Sequence, residues 1–100
     1  MSRIKIQGGL LFDGLGNPGR NADVVLQEDK IVKIGDCAGE EADVVIDARG
    51  KIVCPGFVDI HRHHDAKVLF DKAFGQTELR QGITTAICGN CGISLTPRPR

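Results

Sequence analysis

Apolar and polar positions along the first half of the chain alternate in short runs broken by turn residues. Arg3-Ile4-Lys5-Ile6 alternates strictly, the period of a strand with one face buried. Ala22 to Leu26 and Ile31 to Ile34 are two apolar runs flanking Gln27-Glu28-Asp29-Lys30, a polar four-residue connection suited to a hairpin. Val44 to Ile46, then Ala48-Arg49-Gly50-Lys51, then Ile52-Val53-Cys54 repeat the strand and turn rhythm, while Asp13 to Gly19 reads as a loop by composition. The expectation is a small antiparallel β unit over residues 1–54.

At Pro55-Gly56 the pattern changes. Phe57-Val58-Asp59-Ile60-His61 is nearly continuous in apolar character, as a strand buried on both faces is. Ala66 to Gln81 allows a helix that Gly75 weakens, with Thr77 to Gln81 as a short last turn ended by Gly82. Ile83-Thr84-Thr85-Ala86-Ile87-Cys88 is β-branched enough for a second buried strand. Strand, crossover and strand predict a parallel βαβ unit.

Composition adds bounds. One hundred residues with 41% hydrophobic and 26% charged positions describe an ordinary globular chain. A formal net charge of zero gives no general attraction to nucleic acid or to an anionic membrane. No apolar run is long enough to span a bilayer and no secretory signal is visible. The expected location is the cytoplasm, where the four cysteines serve as thiols or metal ligands rather than disulfides.

Chemistry concentrates where the first apolar run of the second half ends, in His61-Arg62-His63-His64-Asp65. On a strand, residues i and i+2 share a face, so His61 and His63 present two imidazoles together. Such a pair is often a polar pair on a solvated face, but the five ionisable residues His61 to Asp65 closing a buried strand favour a metal. The second run ends in Cys88-Gly89-Asn90-Cys91-Gly92. Parallel strands deliver their C-terminal ends to one edge, so His61, His63 and Cys91 can converge. Three readings of the cysteines stand open. A redox Cys-x-x-Cys pair lacks the helix N-terminus it needs; a structural zinc site would take His61, His63, Cys88 and Cys91; a catalytic site would use Cys91 alone, with Cys88 packed as a small core residue. Cys37 and Cys54 read as small hydrophobes.

Pro55-Gly56-Phe57-Val58-Asp59-Ile60-His61-Arg62-His63 resembles the first-strand signature of the amidohydrolase superfamily. Gln81-Gly82-Ile83-Thr84-Thr85 with Gly89-Asn90-Cys91-Gly92-Ile93-Ser94 resembles the second-strand signature of its N-acyl-D-amino-acid deacylase branch. Upstream, Asp13-Gly14, Ala22-Asp23-Val24, Lys30 to Gly35 and Ile46-Asp47-Ala48 are similar to the superfamily's N-terminal β-sandwich segment. The resemblance implies an α/β architecture: part of an antiparallel β-sandwich over 1–54, then over 55–100 the first two strands and crossover of a metal-dependent (β/α)8 barrel. It implies zinc as cofactor and a small-molecule N-acyl amino acid as substrate, with no nucleic-acid or membrane partner. Cys91 would hold the tightly bound zinc, and His61 and His63 a second, weaker metal position. Asp65 matches a common acidic residue that can touch the site or equally cap the following helix.

The family's later-strand histidines and its catalytic aspartate have no counterpart in these hundred residues. The chain is therefore expected to be an N-terminal piece, inactive alone, whose open strand edges are covered by the rest of the barrel or by a second copy. Two alternatives remain: a cyclic-amide hydrolase of the same superfamily, similar to dihydroorotase or hydantoinase, and a non-enzymatic zinc module.

Overall fold

A computed structural model describes residues 2–62 and 71–90. It divides into two compact units, Met1–Pro55 and Gly56–Arg100.

In the first unit seven strands form two sheets: β1 (Arg3–Gln7), β2 (Leu10–Leu11), β3 (Arg20–Asn21), β4 (Asp23–Gln27), β5 (Lys30–Gly35), β6 (Val44–Asp47) and β7 (Ile52–Val53). The four-stranded sheet runs β5-β4-β1-β6 and the three-stranded sheet β3-β2-β7. Lys5 opposes Val25 in the antiparallel β1/β4 ladder, and Val24 opposes Ile34 in β4/β5. Val25 is fully buried and Val24 nearly so, with Leu11, Cys37 and Ala48 completing the buried apolar set.

The expected antiparallel unit is corrected to a mixed one. Three ladders are antiparallel, but β1 pairs parallel with β6 and β2 parallel with β7. The segment β6 to β7 runs beside β1 to β2 in the same direction, joined by Ala48 N–H to the Gln7 carbonyl at 2.8 Å and Leu10 N–H to the Lys51 carbonyl at 3.0 Å. Side-chain alternation reports which face a residue occupies and carries no information on the direction of the neighbouring strand.

Polar anchors hold the loop between β5 and β6. Lys5, nearly buried on β1, donates its Nζ to the carbonyls of Cys37 and Glu40 at 3.4 and 3.1 Å. Glu40 bridges Arg3 and Lys33 at 2.7 and 2.9 Å. Asp23 accepts the amides of Gly8 and Cys37 at 2.9 and 3.1 Å, and these two bonds hold its carboxyl below the usual carboxylate range.

The β4/β5 hairpin is tighter than the polar stretch predicts. Gln27 and Lys30 join the ladder, leaving Glu28-Asp29 as the loop, and Glu28 takes φ of +54°. A side chain in that left-handed region costs about 1–2 kcal/mol, while glycine gives back roughly 0.5–1 kcal/mol in chain entropy. Glu28→Gly is therefore expected to stabilise this unit by roughly 0.5–1 kcal/mol. Denaturant unfolding checks this, and a loss of stability would contradict it.

The second unit holds β8 (Phe57–Arg62), a short helix α1 (Gln76–Arg80) and β9 (Ile83–Cys88), with β8 and β9 paired parallel. This is the pairing that the two β-branched apolar runs predict. Of the 66–81 segment, Ala66 to Phe70 lie outside the described residues, and within residues 71–81 the helix spans Gln76–Arg80. Gly75 sits at φ +83° as its N-cap, a conformation that a helix interior excludes. The strands approach closely at Gly56, where any Cβ would collide with the Thr84 side chain. Phe57, Val58, Ile60 and Ile87 are nonetheless about half exposed or more. The expected burial of both faces is thus absent among the described residues: α1 packs against β9, yet these side chains remain exposed. Among the described residues no helix is long and apolar enough to cross a membrane.

Candidate metal centre

The register of β8 against β9 is not uniform. Asp59 opposes Ala86, but Arg62 opposes Cys88, so three steps along β8 match two along β9. The extra residue makes a local bulge around Ile60-His61 that offsets the opposite shift between Phe57 and Val58, where one step along β8 matches two along β9; a bulge of this kind re-aims a side chain at a strand end. A bulge breaks ladder bonds and leaves backbone groups to be satisfied elsewhere. Here two side chains supply them. Asp59 Oδ1 accepts the His61 amide at 3.1 Å, and Asn90 Nδ2 donates to the Ile60 carbonyl at 3.0 Å.

A charge network backs this arrangement. Arg62 Nε lies 3.3 Å from Asp59 Oδ2, and its Nη2 2.7 Å from Glu78 Oε1. Glu78 stands on α1 and is only 5% exposed, so its carboxylate requires a partner of this kind. Together these contacts tie the end of β8 to the helix between the strands and to the turn that follows β9.

Of the sequence-derived site residues, His61 is described: it lies exposed on β8, one residue from the end of the strand. His63, His64, Asp65 and Cys91 lie outside the described residues. Cys88 is half-buried on β9, across from Arg62, and is a free thiol, as are buried Cys37 and exposed Cys54. Among the described residues no group of three or more His, Cys, Asp or Glu side chains gathers to hold a metal. The strand register brings the chain out of β8 after Arg62 and out of β9 after Cys88 at one edge.

Sequence reasoning passed over Asp59, Arg62, Glu78 and Asn90. One signal was legible: an aspartate two residues before His61 has the spacing at which an Asx side chain bonds the amide two residues on. The Asn90 contact joins residues 30 apart in the chain, and no local pattern encodes it.

No protein-family model matches the chain. It is 46% identical over 96 residues to the N-acyl-D-glutamate deacylase of Alcaligenes xylosoxydans xylosoxydans, covering 96% of this chain and 20% of that protein. It is 42% identical over 94 residues to the D-aminoacylase of the same organism, covering 94% and 19%. The crystal structure of N-acyl-D-glutamate deacylase from Bordetella bronchiseptica, complexed with zinc and a phosphonate mimic of the tetrahedral intermediate, superposes with a TM-score of 0.85. That alignment has 42% identity and covers 97% of this chain and 20% of that one. The chain spans about a fifth of the length of the curated relatives it matches.

Proposed function

From its kinship with the N-acyl-D-amino-acid deacylases, whose N-terminal portion this chain matches, we propose that it supplies part of the metal site of a zinc-dependent enzyme that hydrolyses the amide of N-acyl-D-amino acids. The observation that carries the proposal is the likeness over 97% of the chain to a deacylase holding zinc and a tetrahedral-intermediate mimic.

The donor set suits zinc. Imidazole nitrogen from His61 and His63 and thiolate sulfur from Cys91 are the ligand types that zinc prefers, and β8 and β9 end at a common edge from which all three residues follow or lie close by in sequence. Cys91 holds the tight metal, His61 and His63 serve the second position, and Asp65 either reaches the site or caps the segment behind it. Bound zinc supplies hydroxide near neutral pH by lowering the pKa of its water. The chain's own contribution is to fix the ligands: the Asp59 and Asn90 bonds hold the backbone on which His61 stands.

In this reading β8, α1 and β9 are the opening of a (β/α)8 barrel, whose active sites form at the C-terminal ends of the strands. Phe57, Val58, Ile60 and Ile87 are then the surface on which the other barrel elements pack. A reducing cytoplasm suits a thiolate ligand and the three free thiols among the described residues.

The test is hydrolysis by the full-length protein that carries this segment. It is expected to release free D-amino acid from N-acetyl-D-amino acids, to lose that activity on chelation, and to regain it with zinc. Opening of dihydroorotate or a hydantoin, with N-acetyl-D-amino acids untouched, would overturn the substrate assignment.

A further inference from the structure

Two backbone groups at the centre of the β8 irregularity are met by side chains. The Ile60 carbonyl takes Asn90 Nδ2 at 3.0 Å, and the His61 amide goes to Asp59 Oδ1 at 3.1 Å. A strand has an alternative to such a bulge, which is to slip by one residue and recover ordinary ladder bonds. Such a slip carries every side chain beyond it to the opposite face. The face on which His61 stands therefore depends on what holds the bulge in place.

We propose that Asn90 is a positioning residue for the metal site: its side-chain amide, clasping the Ile60 carbonyl, locks the β8 bulge and so sets the face and height at which His61 meets the metal. The inference rests on the metal reading above. Asn90 suits the role because it directly precedes Cys91 in the chain. One residue thus ties the backbone carrying the imidazole ligand to the point of the chain that leads directly into Cys91. Asp59 assists from within β8, and Arg62 with Glu78 restrains the Asp59 carboxylate. Outer contacts of this kind commonly govern metal affinity as strongly as a change of ligand geometry does.

The test uses the full-length protein with Asn90→Asp, which keeps the shape but replaces the donor with an oxygen that repels the Ile60 carbonyl. Asn90→Ser removes the amide without adding charge and serves if the aspartate variant does not fold. His61→Ala is the reference. Metal affinity is read by chelator competition with zinc, and ligand geometry by the visible absorption of the cobalt-substituted protein. The zinc equivalent that His61→Ala abolishes is expected to bind about tenfold more weakly in the Asn90 variants, with a shifted cobalt band, beyond any change in melting temperature. If His61→Ala weakens zinc while the Asn90 variants keep wild-type affinity and spectrum, the positioning role is overturned and the metal reading stands. If His61→Ala also leaves zinc affinity unchanged, both fall.

Discussion

Cys91→Ala in the full-length protein is expected to lose the tightly bound zinc and nearly all deacylase activity, while Cys88→Ala keeps both. The two cysteines sit three residues apart and differ in where the chain has reached. Cys88 is the last residue of β9, half-buried and paired in register with Arg62. A thiol held in the sheet behaves as a small packing residue, and its removal costs on the order of 1 kcal/mol. Cys91 lies beyond Gly89, past the strand, in the stretch where parallel α/β folds build their ligand sites. A thiolate is stable there only if something positive holds it, and zinc supplies that charge. Metal analysis of the two purified variants checks the difference. Equal zinc loss in both would move the assignment to a structural site that uses the pair.

The hundred residues expressed alone are expected to show no hydrolysis of N-acetyl-D-amino acids. Three histidines and Cys91 provide an incomplete ligand set, and no group in the chain is matched to the general base that a metal-assisted hydrolysis requires. The isolated polypeptide would also present the half-exposed apolar side chains of β8 and β9 as an open two-stranded sheet, which is marginal in water. Turnover that survives repurification and is abolished by Cys91→Ala would refute this expectation. Such a result would mean that copies of the segment assemble a complete site.

What the sequence made legible follows from what periodicity encodes. The apolar runs at 57–60 and 83–87 became a parallel pair, the helix stops before Gly82 as expected, and the polar stretch after Leu26 became a hairpin, whereas Gly75, expected only to weaken a helix, stands at its N-cap. Pairing direction was not legible for β6 and β7, because alternation fixes faces and not partners. Burial was overstated for Phe57 and Ile60, since an apolar run encodes the need for a cover that is absent among the described residues. The candidate site divides in the same way. His61 stood out through its spacing from His63, whereas the Asn90 clasp and the Arg62 link to Glu78 join residues 30 and 16 apart. Contacts of that range arise from strand register and leave no local signature.

Whether this segment carries a thiolate ligand to a catalytic zinc can be read from X-ray absorption at the zinc edge of the full-length protein. A single sulfur scatterer is expected at about 2.3 Å among lighter nitrogen and oxygen ligands, present in wild type and in Cys88→Ala and absent in Cys91→Ala. Two sulfur ligands, or a sulfur shell that persists in Cys91→Ala, would contradict it.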